Sequence, residues 1–293
     1  MLSAVQNETR FISEMIASVR AQTHEDWELL FVDDGSLDST PFLINEAAGA
    51  DQRIKVVAHG RRVGKVRAFN QAFEASTGDV VALLAGDDTL PVDSLAKRAA
   101  AFAEVLPADR VVAYFKLRMF SDDPRYDDIV LPRGTSGSRS GGSVTMSRGL
   151  AAAVFPIDEA LIAEDIWLSH ASADLASAVI ERPEVIMNYR IHSRNSHQRG
   201  QRFSEMTKAT NDRLQSYRAR LDAKRLDLST PSRQYLEQLW QAEQARFGGK
   251  TLEVLFRSRL PLVDRVAIAS ESNPALYTIR TRFYKLFSGR RGR

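Results

Sequence analysis

The first half of the chain alternates short β-branched runs with stretches of helical periodicity, and that alternation leaves few folds open. Strand-like runs at 2–5, 28–32, 54–58 and 79–84 are separated by segments whose apolar residues recur at helical spacing, as in Phe11, Ile12, Met15, Ile16 and Val19. This is the pattern of βαβ units and a mainly parallel α/β sheet flanked by helices. Ser39 or Thr40 is placed to cap the second helix, with Pro41 in its first turn, where a missing N–H costs nothing. A helix over 65–76 is stopped at Gly78, the nearly all-apolar 79–84 run suits a strand covered on both faces, and Pro91 opens a helix reaching 105.

Beyond that helix the pattern loosens. An alternating strand is expected at 111–120 and a Gly/Ser/Arg-rich loop at 133–143, followed by polar helices at 204–226 and 232–247 and a break at Gly248 and Gly249. The reading is an α/β domain over 1–200 with a helical C-terminal extension over 201–293.

In an open parallel sheet, ligands bind beyond the carboxyl ends of the strands, so the residues just past each strand matter most. Two strands run into acids: the 28–32 run into Asp33-Asp34-Gly35-Ser36, and the 79–84 run, through Ala85-Gly86, into Asp87-Asp88. Four carboxylates at one edge need a cation or hydrogen-bond donors to offset them, and a divalent metal bridging a diphosphate supplies this. Asp, Gly and Ser are also ordinary turn formers, so either pair alone is compatible with a plain turn. A third pair, Glu164-Asp165, lies in the apolar context Ile162-Ala163 before and Ile166-Trp167-Leu168 after. It reads either as acids at a helix N-terminus or as a carboxylate held in a drier site as general base.

These segments, in this order, resemble the GT-A fold glycosyltransferases of family 2. The resemblance rests on Val32-Asp33-Asp34-Gly35-Ser36, the spacing to Gly64 and Asn70, Ala85-Gly86-Asp87-Asp88-Thr89-Leu90-Pro91, Glu164-Asp165-Ile166-Trp167-Leu168, and Tyr189-Arg190-Ile191-His192-Ser193-Arg194-Asn195-Ser196. It covers about residues 1–200. It implies an inverting transfer, in surface polysaccharide or glycolipid synthesis, from a nucleoside-diphosphate sugar, a UDP-sugar first of all, to a saccharide or lipid-linked acceptor. It places Val5 and Glu8 at the nucleoside, Asp33 on its base, and Asp87 on a divalent metal, Mn2+ or Mg2+, with Asp88 in support and His192 near the diphosphate and metal. Asp165, beside Glu164, becomes the base that deprotonates the acceptor hydroxyl. Lys65 approaches a phosphate in this reading, or is a solvated lysine at a helix start.

The sequence departs from the family pattern in three places. Ala85-Gly86-Asp87 stands where the family shows Asp-x-Asp, Gln6 stands where an aromatic often precedes the first Asn, and the chain opens almost inside its first strand. The missing acid leaves open a scaffold that keeps the fold without catalysis. A nucleotidyltransferase is a further alternative, although residues 6–10 lack the Gly-rich basic loop it would need.

Composition narrows the field further. The chain has no cysteine, which excludes disulfides, thiolate zinc sites and cysteine nucleophiles and suits a cytoplasmic setting. No apolar run approaches the roughly 20 residues needed to cross a bilayer, and the opening residues lack the blocks of a signal peptide. Residues 246–293 hold eleven Lys/Arg against three acids, a net of +8 within a total of +3, so residues 1–245 carry −5. An acidic body argues against nucleic acid as a partner. In the tail, Leu276, Ile279, Phe283, Leu286 and Phe287 share a helical face beside Arg280, Arg282, Lys285, Arg290 and Arg291. Such a helix either docks on the protein or lies at an anionic membrane surface.

Overall fold

A computed structural model describes residues 1–124, 126–192, 195, 202–224 and 226–282. Leu29, Phe31, Leu30 and Val32 alternate between two apolar cores, one on each face of the strand β2 (Leu29–Asp33), which is buried along its whole length. Its neighbours β1 (Leu2–Val5) and β3 (Ile54–Ala58) both pair with it in parallel. Two helices connect these strands: α1 (Ile12–Arg20), which buries Ile12, Met15, Ile16 and Val19, and α2 (Thr40–Ala50). After α3 (Lys65–Ala75) the chain returns beside β1 through a parallel bridge from Leu2 to Leu83 and the Leu84 N–H donating to the Leu2 carbonyl at 2.9 Å. The parallel sheet anticipated from the sequence is therefore present in the first half.

The second half of the sheet is mixed. β4 (Val80–Ala82) pairs antiparallel with β7 (Val144–Ser147), and β7 pairs antiparallel with β5 (Val111–Phe120). β5 also takes β6 (Ile129–Leu131) antiparallel and β8 (Ala178–Arg190) parallel. The pairing of β5 with β8 shifts register between Tyr114–Glu181 and Lys116–Val185, so Arg182, Pro183 and Glu184 bulge out of the ladder. A proline and two charges are tolerated there because the segment is exposed.

Several elements differ from the sequence expectation. The helix foreseen at 91–105 is only α4 (Ser94–Ala101), because Pro91–Asp93 form a turn held by Gln22, whose amide donates to the Pro91 carbonyl and whose oxygen accepts the Leu95 N–H. The polar helix at 204–226 is two helices, α7 (Phe203–Arg213) and α8 (Gln215–Asp222), meeting at Leu214. The Gly/Ser-rich stretch is a loop to 140 and then a 3-10 turn, Gly141–Ser143. Between β7 and β8 lie α5 (Arg148–Val154) and α6 (Glu164–Leu175).

The helical extension continues as α9 (Thr230–Phe247), α10 (Thr251–Phe256), α11 (Leu262–Ala269) and α12 (Pro274–Arg282). Its Leu214, Tyr217, Leu236, Leu239, Val254 and Ile268 belong to the same apolar core as Trp167, Leu168 and Ala171 of α6. Of the tail residues singled out in the sequence, Phe283, Lys285, Leu286, Phe287, Arg290 and Arg291 lie outside the described residues. No helix among the described residues is long and apolar enough to cross a membrane.

Candidate active site

The loops after β1 and β2 are laced together. The Asp34 N–H donates to the Val5 carbonyl at 2.8 Å, the Asn7 N–H to Ser36 Oγ at 2.9 Å, the Leu37 N–H to Asn7 Oδ1 at 2.8 Å, and the Glu8 N–H to Thr40 Oγ1 at 2.8 Å. Asn7 has φ 56°, a left-handed conformation that Asn tolerates. The two acids of the first pair then take different parts. Asp34 is buried and accepts the Val63 and Gly64 N–H groups at 2.5 and 2.8 Å, so its carboxylate fixes the loop leading into α3. Asp33, also buried, receives among the described residues long contacts of 3.3 Å to each side-chain oxygen from the Ser36 N–H. Gly35 between Asp34 and Ser36, at φ 73°, allows the Arg62 backbone within 2.7 Å of where a Cβ would stand.

Two motif residues are structural. The Asn70 side chain donates to the Ile157 carbonyl and accepts the Ile157 N–H, both at 2.8 Å, and so ties α3 to the segment that precedes α6. Gly64 opens α3 at φ 94° and places Lys65 in its first turn.

Asp87 and Asp88 lie just past β4, and the end of β8 is folded onto them. Thr89 and Asn188 exchange backbone hydrogen bonds. The Arg190 N–H donates to Asp88 Oδ1 at 2.9 Å and its guanidinium donates to the Asp87 carbonyl at 2.8 Å and to Glu14 at 2.6 Å, between the rings of Phe11 and Phe120. His192 Nε2 then lies 3.0 Å from Asp87 Oδ2, its ring 5.0 Å from that of Phe11, and Asn195 braces the turn by accepting the His192 N–H at 2.6 Å. Burial, and then the Asp87 charge, push the Asp88 carboxyl well above its usual range. Glu8 lies against this corner as well: a Cβ on Gly86 would come within 2.9 Å of Glu8 Cγ and 3.0 Å of Val5 Cγ1, so glycine is what the close approach permits. Ser193, Arg194 and Ser196 of the same segment lie outside the described residues.

Glu164 and Asp165 occupy the first turn of α6, and each meets a cation. Lys65 Nζ is 2.5 Å from Glu164 Oε1, and Arg213 Nη2 of α7 is 2.8 Å from Asp165 Oδ2. Burial alone would lower the Lys65 ammonium, but Glu164, with Asp165 and Asp87 behind it, holds it above its ordinary value. The Asp87 charge thus reaches the Lys65 ammonium, although only Glu164 is in contact with it. The turn Gly141–Ser143 forms the adjoining wall, where a Cβ on Gly141 would stand 3.5 Å from Asp165 Cβ. The second part of this loop is anchored: the Ser138 N–H donates to the Phe115 carbonyl at 2.6 Å, the Gly137 N–H to Glu181 at 2.6 Å, and Ser143 is fully buried.

The structure therefore brings Val5, Glu8, Asp87, Asp88 and His192 to one corner, and Lys65, Glu164 and Asp165 to the facing one, with Asp33 at the end of the adjacent β2. Sequence reasoning missed Arg213, which sits in a polar helix with no motif, and gave Arg190 no role although it quoted the segment. Buried Arg98 was missed too; it donates to Thr145 Oγ1 and to the Gly142 carbonyl and holds the loop wall from behind.

Asp87 and His192 place a carboxylate oxygen and an imidazole nitrogen side by side, two donors that could hold a divalent ion such as Mn2+, whereas Mg2+ prefers oxygen ligands alone. Among the described residues no three candidate ligating side chains gather at one point, so such an ion needs oxygens from its ligand.

Residues 3–128 match the sequence profile described as glycosyl transferase family 2. The O-antigen biosynthesis protein RfbC of Myxococcus xanthus is 41% identical over 31% of this chain and 7% of its own length. An uncharacterised glycosyltransferase of Nostoc sp. is 30% identical over 65% of this chain and 64% of its own length. The chain thus spans less than two thirds of each of these relatives. The mannosyltransferase PcManGT of Pyrobaculum calidifontis, solved with GDP-Man and Mn2+, shares the fold at 16% identity and a TM-score of 0.59, over 98% of this chain and 84% of that one.

Proposed function

We propose that this chain, whose residues 3–128 match the profile of glycosyl transferase family 2, moves a sugar from a nucleoside-diphosphate sugar to an acceptor hydroxyl in surface polysaccharide or glycolipid synthesis. The observation that carries the reading is the meeting, at the carboxyl edge of one sheet, of the Asp87–His192 pair and the Lys65–Glu164–Asp165 group. The RfbC relative acts in O-antigen synthesis by its name, and the PcManGT neighbour holds a nucleotide sugar and Mn2+.

On this reading residues 1–200 form the catalytic domain and 201–293 its helical extension. Val5 and Glu8 line the nucleoside position, and Asp33, whose side-chain oxygens have weak partners among the described residues, accepts hydrogen bonds from the base, taken to be uracil. Asp87 and His192, with Asp88 behind them, hold the divalent ion, which when bound offsets the charge that develops on the departing diphosphate. Lys65 presents its ammonium to the phosphates. Glu164, buried and paired with Lys65, positions that cation, which leaves Asp165 as the group that takes the acceptor proton. Attack from the side of Asp165 while the diphosphate leaves on the other gives single displacement with inversion. The acceptor is a saccharide or a lipid-linked sugar, with contact to the membrane through the basic C-terminal end.

A thermal-shift screen of UDP- and GDP-sugars with Mn2+, followed by a hydrolysis assay on the binders, tests this reading, because ligand binding raises stability by mass action. A Mn2+-dependent shift with slow donor hydrolysis is expected. Binding without turnover of any acceptor or water would favour the scaffold, and no shift with any nucleotide sugar would refute both.

A further inference from the structure

The extension exposes large apolar side chains where a packed helical hairpin would bury them. Leu252 and Phe256, one turn apart on α10, are 71% and 77% exposed, and Leu262, Val263 and Val266 of α11 are 64%, 56% and 51% exposed. The same helices are buried through Val254 of α10 and Asp264 and Ile268 of α11, with Leu260 of the link between them, so both helices are docked and the exposed set is their outward side. Arg265 donates to the Leu255 carbonyl at 2.7 Å, and Arg280 of α12 donates to the Ala267 carbonyl and Ser270 Oγ at 3.0 and 2.9 Å, which joins the three helices into one unit. α12 adds Ile279, also exposed.

Charge identifies what such a face meets. The link between α10 and α11 carries exposed Arg257 and Arg259, whereas Glu253 pairs with Lys250 and Asp264 is buried under Tyr235. The segment 246–293 carries a net of +8 against the −5 of the rest of the chain. Apolar side chains rimmed by arginine match the boundary between anionic headgroups and acyl chains. We propose that the outward face of α10 and α11, built on Leu252, Phe256, Leu262, Val263 and Val266 with Arg257 and Arg259, is a docking surface for an anionic lipid bilayer. It deepens the reading of a lipid-linked acceptor by placing the acceptor's membrane against the extension, yet its test uses neither donor nor acceptor.

The test is co-sedimentation of the full chain with vesicles of phosphatidylcholine containing about one third phosphatidylglycerol, against vesicles of phosphatidylcholine alone, an anionic fraction large enough to give a basic face a surface potential to respond to. The wild type is expected in the anionic pellet, and Phe256→Glu with Leu262→Glu to lower the bound fraction on the order of tenfold, since two apolar anchors are replaced by charges the surface repels. Both side chains are exposed, so folding is preserved, as an unchanged circular-dichroism melt checks. No binding to anionic vesicles, equal binding to neutral ones, or binding that the double variant retains would each overturn the proposal. So would a wild-type dimer that the same substitutions dissociate, because the face would then belong to a second copy.

Discussion

At Asp165 one carboxylate oxygen accepts the Ile166 N–H at 3.0 Å and the other meets Arg213 at 2.8 Å, so the side chain is held from both ends while each oxygen keeps a lone pair. Asp165→Asn is expected to keep donor affinity and lose about 10²–10⁴-fold in transfer, the usual weight of a general base; transfer near the wild-type rate would remove Asp165 from that role. On this assignment Arg213, whose contact is with Asp165 Oδ2, acts by orienting that carboxylate. Arg213→Ala should therefore lower kcat by roughly tenfold with donor KM unchanged, and Arg213→Lys should recover part of it, because a misplaced catalytic group costs rate rather than binding. A change in donor KM instead of kcat would contradict a positioning role.

Among the elements, Glu28 at the start of β2 shows how the sheet edge is kept in register. Its Oε1 accepts the Thr77 and Gly78 N–H groups at 2.6 and 3.0 Å and its Oε2 meets Lys55 at 2.9 Å, so one carboxylate ties β2 to β3 and to the entry of β4. Burial pushes this group up, but those donors outweigh it and hold it at about 2, against an ordinary value of 4.5. A depressed carboxyl contributes its full stability above pH 4.5 and loses it as pH falls toward 2. Glu28→Gln should cost about 1–2 kcal/mol at neutral pH, and the gap to wild type should close as pH falls through this window. A gap that stays constant from pH 6 to 3 in thermal melts would contradict the assignment.

The parallel half of the sheet was legible because its strands are short β-branched or apolar runs, β2 buried on both faces, each followed by its own turn. The mixed half was not: β8 carries Arg182, Pro183 and Glu184 at its bulge, which break the strand pattern in the sequence. The acidic corners were visible as motifs, but their division of labour was not. Asp33 and Asp34 are adjacent and chemically identical, and only the loop at Val63 and Gly64 makes one of them structural. Arg213 left no trace, since its meaning depends on the fold bringing the end of α7 to the first turn of α6.

For the molecule as a whole, the extension shares a core with the sheet-bearing first half. Trp167, Leu168 and Ala171 of α6 belong with Leu236, Leu239 and Ala242 of α9 to one apolar core, so the N-terminus of α6, which carries Glu164 and Asp165, depends on that packing. A chain ending at residue 202 is expected to lose the single cooperative melt of the full protein and to aggregate, because it uncovers that core. A soluble fragment with an unchanged melting temperature would show the two halves to be independent. The central claim is that Asp87 with its cation and Asp33 with the base hold one nucleotide sugar at this edge. Titration calorimetry of a UDP-sugar, with and without Mn2+, tests it on the wild type, Asp87→Ala and Asp33→Ala. The account predicts tighter binding with Mn2+ in the wild type, loss of that gain in Asp87→Ala, and weaker binding under both conditions in Asp33→Ala; wild-type affinity in both variants would contradict it.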